Sequence, residues 1–329
     1  MRGLMPKISV VSPVYNELEV TLTALVDRVA VAVASIPLEL EIVLVDDGSR
    51  QETWDAIFDL CRQRPDVKGI RLARNFGQHA AIAAGIDQAT GDWVVVMDSD
   101  LQDRPEVIPR LYHKSREGYD VVFVSRELRP ESAFYRLLAF VFYRTLNFLS
   151  GQYYERRQAN FSILTRQVVE AFCRVPDRDR FYGGVVRWLG FRTSLINAQH
   201  GERQYGKTTY DFRGRLRLAF RIIFGFSSRL LHTSIVAGLL MAVLSFGAAI
   251  VIVMDKIIHP SLPVPGWPSV MTAVFFTAGV TNVMLGLVGV YVGNLFEQSK
   301  RRPIYVVAQT AALGRESVGN TPPPDLAVK

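Results

Sequence analysis

Apolar positions along the first 130 or so residues fall into two textures. Short, near-continuous runs alternate with stretches where they recur every three or four positions. The runs Ile8–Val14, Leu40–Val45, Lys68–Leu72, Trp93–Met97 and Val121–Val124 predict strands of a sheet covered on both faces. Leu18–Ser35, Thr53–Arg62, Gln78–Ala89 and Pro105–Arg116 predict the helices between them. This alternation predicts an α/β domain with a mostly parallel sheet and right-handed crossovers. Ligands of such sheets bind beyond the carboxyl ends of the strands. The polar residues gather there: Pro13-Val14-Tyr15-Asn16-Glu17 after the first run, Asp46-Asp47-Gly48-Ser49 after the second, Arg74-Asn75-Phe76-Gly77 after the third and Asp98-Ser99-Asp100 after the fourth.

The pattern changes further on. Leu230–Met254 and Ser269–Phe296 carry no charged residue, and each exceeds the roughly 20 residues needed to cross a bilayer as a helix. Glycines recur in both, and Gly289 and Gly293 have the spacing that lets helix backbones approach closely. Arg213, Arg215, Arg217, Arg221 and Arg229 precede the first run, and Lys300, Arg301 and Arg302 follow the second. Positive-inside bias predicts a hairpin with both ends in the cytoplasm and the short connection, 255–268, outside. Two stretches predict helices lying at the lipid surface. In 212–226, Arg213, Arg217 and Arg221 line one stripe beside Phe212, Leu216, Phe220 and Phe224; in 132–149, Arg136 and Arg144 accompany an apolar face. The expected layout is an α/β domain over 1–210, an interfacial helix over 211–228, two spans within 229–299, and a basic tail over 300–329. The tail is expected to be partly disordered after Val307, where Gly, Ser, Thr and three consecutive prolines dominate.

Composition supports the membrane reading. Hydrophobic residues make up 49% of the 329, net charge is +7, and mean hydropathy is +0.15. A basic balance suits an anionic partner. Because the arginines cluster beside the apolar runs, a lipid phosphate or membrane surface fits better than nucleic acid. Cys61 and Cys173 lack metal-ligand spacing and read as buried thiols. Met1–Lys7 lacks the apolar run of a signal peptide, and the expectation is that the first domain stays on the cytoplasmic side.

The strand-end acids carry the chemistry. Asp98 and Asp100 are two apart, so in an extended segment both carboxylates face the same side. Oxygen ligands of this kind favour Mg²⁺ or Mn²⁺, which bridge substrate phosphates. A bare Asp-x-Asp is most often a solvated turn; four polar strand ends on one edge change that weighting. Asp46 and Asp47, next to a turn glycine, are placed to accept from a nucleotide base or ribose hydroxyl. Asn16 also fits the N-cap of the helix that follows it.

The runs S-P-V-Y-N-E, V-D-D-G-S, R-N-F-G-Q-H-A-A-I-A-A-G and M-D-S-D-L-Q-D-R-P-E, with R-Q-Y-G-K-T-T-Y later and G-V-Y-V-G-N-L-F-E-Q-S-K-R-R-P-I-Y-V-V at the end, resemble the polyprenyl-phosphate glycosyltransferases of family 2. That family includes dolichol-phosphate mannose synthase, bactoprenol glucosyltransferases and undecaprenyl-phosphate aminoarabinose transferases. The resemblance covers residues 8 to about 307. It implies a GT-A fold, a nucleotide-sugar donor, Mg²⁺ or Mn²⁺, a polyprenyl phosphate acceptor, a bacterial inner membrane location and a homo-oligomer, with a tetramer as one form. UDP is favoured over GDP.

Carried over to this sequence, it implies that Pro13, Tyr15, Asn16, Glu17, Asp46 and Asp47 line the nucleotide sugar. Asp98 and Asp100, with Gln102, hold metal and diphosphate. Ser125, Arg126, Arg136, Arg203 and Lys207 serve the acceptor phosphate, and Asp98, Asp100, Arg126 and Arg203 form the catalytic set. The acceptor phosphate is already largely dianionic at neutral pH, so no general base is required.

The sequence departs from the family pattern in places. Arg104 replaces a proline of L-Q-D-P-P-E, and Asn160-Phe161-Ser162 stands where many relatives have Asp-Phe-Arg. A processive polysaccharide synthase would carry Gln-x-x-Arg-Trp, but Gly184 precedes Arg187-Trp188 at the Gln place. The alternative from another class is a non-catalytic membrane scaffold or lipid-phosphate binder with a degenerate donor site. The intact Asp98-Ser99-Asp100 and Asp46-Asp47 weigh against it.

Overall fold

The computed structural model describes residues 5–126, 144, 158–176, 180–198, 229–258, 266–300, 302–312 and 315–318. The chain divides into two units, one comprising Met1–Phe140, Tyr154–Thr209 and Arg302–Lys329 and the other Val141–Tyr153 and Tyr210–Arg301.

The first unit is built on a twisted mixed sheet. Its strands are β1 (Lys7–Val14), β2 (Glu39–Asp46), β3 (Val67–Leu72), β4 (Trp93–Val96), β5 (Val121–Arg126), β6 (Gln158–Thr165), β7 (Thr193–Ala198), β8 (Val307–Ala312) and β9 (Arg315–Val318). Their order is β7-β5-β6-β4-β1-β2-β3-β8-β9. The pairs β1–β2, β1–β4 and β2–β3 are parallel. The five predicted strands and the helices between them are therefore present, and the GT-A-like α/β architecture is as expected. The second half of the domain adds an antiparallel element: β6 runs against both β4 and β5. As a result the amino end of β6 reaches the same edge as the carboxyl end of β4.

Helices α1 (Glu19–Val33), α2 (Gln51–Gln63) and α3 (Gln78–Gln88) connect the parallel strands. Leu22, Leu25, Val26, Val29 and Val33 recur at helical spacing along α1, and all are buried. In α3 every residue from Ala80 to Ile86 is buried, and the small side chains let the helix lie close to the sheet. The stretch expected as one helix over 105–116 opens with a 3₁₀ turn, Pro105–Val107, before α4 (Ile108–Arg116). Two short helices, α5 (Arg166–Cys173) and α6 (Tyr182–Trp188), complete this unit.

At the amino ends of the strands, buried Glu41 accepts hydrogen bonds from Ser9 Oγ, Lys68 Nζ, Lys7 Nζ (3.3 Å), Thr90 N (2.8 Å) and Thr90 Oγ1 (2.9 Å). Burial opposes its charge, but these donors prevail and hold the carboxyl at about 2. One side chain thus ties β1, β2, β3 and the turn before β4 together, opposite the edge where the candidate residues lie.

The tail corrects the sequence reading. Residues 307–312 form β8, antiparallel to β3, and 315–318 return as β9. The composition after Val307 cannot support a core of its own, but a strand added to the margin of a sheet needs only partners for its backbone, and β3 on one side and β9 on the other supply them. The tail past 318 lies outside the described residues, as do the predicted surface helices over 132–149 (apart from Arg144) and 212–226.

The second unit contains α7 (Arg229–Ile258, 30 residues) and α8 (Trp267–Ser299, 33 residues), which coincide with the two charge-free runs. Pro268 sits in the first turn of α8, where its missing N–H costs nothing. Within α8, Ala273–Ser299 is long and apolar enough to cross a membrane; in α7 the apolar stretch is the shorter Gly238–Gly247. Val274, Phe275, Phe276, Val283, Leu285, Val292, Leu295 and Phe296 are exposed all around α8. A helix with apolar side chains exposed on every side is suited to lipid.

Candidate active site

The parallel register brings the carboxyl ends of β3, β2, β1 and β4 to one edge. Pro13 is buried at the end of β1; Tyr15 and Asn16 are exposed just beyond it, and Glu17 is half-buried. Asn16 adopts φ 54°, a left-handed conformation that asparagine tolerates better than most residues. Its N–H donates to Ser49 Oγ (2.9 Å), and its Oδ1 accepts from Arg50 N (3.1 Å). The expected N-cap role is therefore corrected: Leu18 is the N-cap of α1 and has no side-chain cap bond, while Asn16 serves the backbone at the start of α2. The left-handed turn carries its amide away from α1. Thr53 Oγ1 also donates to the Glu17 carbonyl (3.1 Å), so the first two loops are joined at three points.

Asp46 and Asp47 are buried back to back in these loops. Asp46 Oδ1 accepts from Ser49 N (2.8 Å), and Oδ2 lies 3.3 Å from Arg71 Nε. Burial pushes the Asp46 carboxyl above its ordinary range; the Ser49 donors and Arg71 oppose the shift. Asp47 turns the other way and accepts from Phe76 N (2.7 Å) and Gly77 N (2.9 Å), which fixes the third loop. Burial outweighs these donors and raises its carboxyl to about 6. Between this pair and Ser49 stands Gly48 at φ 69°, packed against the Arg74–Asn75 backbone. Arg74 is exposed, with its guanidinium 4.2 Å from the Phe76 ring centre.

Strand β4 ends at Val96, before the acids. Asp98 and Asp100 therefore occupy a turn rather than the extended segment expected. The turn closes on itself: Asp98 N donates to Asp103 Oδ2 (3.2 Å), and Gln102 N donates to Asp100 Oδ1 (3.1 Å). Leu101 is held at φ 60°, an uncommon conformation for a residue with a branched side chain. Asp98, Asp100 and Gln102 are half-buried, and Asp103 is buried. Gln78, the first residue of α3, donates to Asp98 Oδ1 (2.6 Å) and so links the third loop to the fourth.

The acceptor-side candidates are less fully placed. Ser125 is buried within β5, and Arg126 ends that strand. Arg136, Arg203 and Lys207 lie outside the described residues. On β6, half-buried Asn160 lies two residues before Ser162, the partner of Val96 at the end of β4. Ser162 Oγ pairs at 2.6 Å with the fully buried Tyr182 hydroxyl.

The edge thus holds carboxylates in two settings. Asp46 and Asp47 are buried and engaged with backbone, which suits shaping a binding surface. Asp98 and Asp100 are half-buried oxygen donors, which suit a hard divalent cation. Among the described residues no three His, Cys, Asp or Glu side chains form a ready cage. A cation here would complete its coordination from a bound diphosphate and water, as Mg²⁺ commonly does. Sequence reasoning missed Arg71, Gln78 and Asp103. Arg71 was visible as a charge inside a buried strand, and Gln78 as a polar residue at the start of a helix whose middle, Ala80–Ile86, is apolar.

The family model for glycosyl transferase family 2 matches residues 9–173, which include all four loops. An uncharacterized glycosyltransferase of Synechocystis sp. is 34% identical over 303 residues, covering 92% of this chain and 95% of that protein. A bactoprenol glucosyl transferase of Shigella phage SfV is 34% identical over 302 residues, covering 92% and 98%. An undecaprenyl-phosphate 4-deoxy-4-formamido-L-arabinose transferase of Yersinia pestis is 32% identical over 321 residues, covering 95% and 96%.

Proposed function

Because the chain belongs to glycosyl transferase family 2 and is a glycosyltransferase, we propose that it moves a sugar from a nucleoside diphosphate, UDP in the first instance, onto a polyprenyl phosphate. The reaction is inverting and metal-dependent, and takes place at the cytoplasmic face of a bacterial inner membrane. The observation that carries this reading is the Asp98–Asp103 turn. It presents two half-buried carboxylates on the same sheet edge as the Asp46–Asp47 loop and is fixed to the neighbouring loop through Gln78. Two relatives named for bactoprenol and undecaprenyl phosphate, each matched over nearly its whole length, support the lipid acceptor. The apolar stretch of α8, followed by Lys300, Arg301 and Arg302, supports anchoring in the membrane with positive residues inside.

Burial and chemistry support the roles of the loop residues, and the resemblance to the family supplies those of the acceptor-side cations. Tyr15, Asn16 and Glu17, with the loop held by Asp46 and Asp47, receive the base and ribose. Asp98 and Asp100, with Gln102 beside them, would hold Mg²⁺ or Mn²⁺, which would supply charge stabilisation to the diphosphate. When bound, the cation offsets the charge gathering on the departing nucleotide. The acceptor phosphate is dianionic near neutral pH and is its own nucleophile, so the protein has only to place it in line with the anomeric carbon. Arg126, Arg136, Arg203 and Lys207 are assigned to that placement, since a guanidinium fork matches phosphate oxygens, and Ser125, which precedes Arg126 on β5, joins them. A homo-oligomer is part of the proposal and is tested by light scattering in detergent.

Asp100→Asn tests the central assignment. The variant is expected to remain in the membrane and fold, to lose Mn²⁺-dependent UDP binding, and to lose about 10²–10³-fold or more in transfer rate. Metal-dependent transfer at the wild-type rate overturns the assignment.

A further inference from the structure

Arg71 is the hub of one corner of the site, and one of its partners comes from the far end of the chain. The Nε atom lies 3.3 Å from Asp46 Oδ2, and Nη1 donates to Gln51 Oε1 (2.9 Å) and to Gln309 Oε1 (3.2 Å). Trp54 supports the guanidinium, with its ring centre 5.7 Å away. Asp46 is fully buried, and its Oδ2 makes no hydrogen bond among the described residues. The compensation of that oxygen therefore depends on where the guanidinium is held, because an uncompensated buried charge is costly.

Gln309 lies on β8, the strand that follows the last apolar helix. Three features place this strand against the site rather than merely along a sheet edge. Its pairing with β3 shifts between Arg71 and Leu72: Arg71 faces Gln309 but Leu72 faces Val307, so β8 carries one extra residue there. Bulges of this kind re-aim side chains. The pairing then continues past β3, with Ala73 N donating to the Val306 carbonyl (2.8 Å), up to the residue before Arg74. Finally, Tyr305 donates to Asp87 Oδ2 (2.7 Å), beside Arg180 at 3.3 Å from Oδ1. Asp87 is on α3, whose first residue, Gln78, holds Asp98.

We propose that the segment from Tyr305 to Gln309 is a working part of the donor site, with Gln309 a positioning residue that acts through Arg71 on Asp46. The segment also braces α3 at Asp87, so one stretch of chain supports both the nucleotide loop and the helix behind the Asp98 turn. Pairing of β8 with β3 needs only backbone. The Gln309 carboxamide adds an acceptor aimed at a guanidinium, where an apolar residue would have covered the edge equally well. The inference rests on the reading of Asp46 as a nucleotide contact.

The test uses the full chain in detergent with Mn²⁺, measuring UDP affinity by calorimetry and donor and acceptor kinetics by transfer. Gln309→Ala is expected to weaken UDP binding and raise donor KM roughly 3- to 10-fold, the scale of one hydrogen bond. The kcat should stay within about twofold and acceptor KM should not change. Gln309→Glu keeps the acceptor oxygen and is expected to restore donor KM. Should Gln309→Ala fail to fold, Gln309→Asn, one methylene shorter, withdraws the carbonyl from Arg71 and is expected to raise donor KM in the same way. Wild-type UDP affinity in Gln309→Ala, or a fall in kcat at unchanged donor KM, overturns the proposal. If the wild-type protein itself binds neither UDP nor GDP, the nucleotide reading of Asp46 has failed and takes this inference with it.

Discussion

Replacing Gly48 with alanine puts a methyl group into space occupied by backbone. The added Cβ would lie 2.5 Å from Asn75 N and 2.8 Å from Arg74 Cα, and Gly48 sits at φ 69°. The left-handed backbone alone costs a non-glycine residue about 1–2 kcal/mol. The clash adds about 1–3 kcal/mol, because a neighbouring main chain cannot swing aside as a side-chain tip can. The sum, about 2–5 kcal/mol, is large against a typical total stability of about 5–15 kcal/mol but does not exceed it. The protein should therefore fold, with the Asp46–Ser49 and Arg74–Gly77 loops pushed apart. Gly190 provides the control. It has φ 73°, but its nearest contact to an added Cβ is at 4.0 Å, and it lies before β7 at the opposite edge of the sheet. Gly190→Ala pays only the conformational cost. Thermal melts and UDP calorimetry on both variants in detergent make the comparison. Gly48→Ala should melt lower than Gly190→Ala and lose at least about tenfold in UDP affinity, a little over 1.4 kcal/mol, while Gly190→Ala binds UDP as wild type does. Equal melting points with undiminished UDP affinity in Gly48→Ala would refute the reasoning.

Two further predictions concern pH. Burial raises Asp47 to about 6, and its ionised form accepts the Phe76 and Gly77 N–H groups. Protonation below that value removes acceptor capacity, so UDP affinity should fall between about pH 7 and pH 5, and Asp47→Asn should flatten the profile. The same raised pKa acts on folding in the opposite sense. Asp47's contribution to stability is fully present below its ordinary value of 3.8 and is lost as pH rises through about 6, so binding and stability should move in opposite directions. Glu41 is depressed to about 2, so its contribution is present above its ordinary 4.5 and is lost as pH falls toward 2. Glu41→Gln should cost about 1–2 kcal/mol by weakening the hydrogen bonds of Ser9, Thr90 and the partly exposed Lys7 and Lys68. It should also remove much of the acid sensitivity in that window in urea unfolding, with donor KM unchanged because Glu41 lies at the far edge.

The parallel half of the domain was legible because its signals are local. Buried runs such as Ile8–Val14 and helical spacing such as that of Leu22, Leu25 and Val29 set the elements, and parallel topology then puts every following loop on one edge. The site acids were legible for the same reason. The features that were not legible depend on partners distant in sequence. Strand β8, Val-Ala-Gln-Thr-Ala-Ala, has no apolar periodicity of its own and exists because β3 offers an open edge. The turn around Asp98 could not be told from a strand extension, since its shape is set by Asp103 and Gln78. Arg71 carries no local signal of its role, because its partners Asp46, Gln51 and Gln309 converge on it from three separate segments. Asn16 met every local requirement of an N-cap, but its left-handed backbone carried it to a different helix.

The most direct measurement of the central claim is transfer by the purified full-length protein in detergent. The assay would contain undecaprenyl phosphate, Mg²⁺ or Mn²⁺ and a panel of labelled UDP- and GDP-sugars, with label counted in the organic phase. The account predicts label from one donor, dependent on both the divalent cation and the lipid phosphate, and lost in Asp100→Asn. Label that appears without a divalent cation, or sugar passed from a bound nucleotide only to water-soluble acceptors while the lipid phosphate stays unmodified, would contradict it.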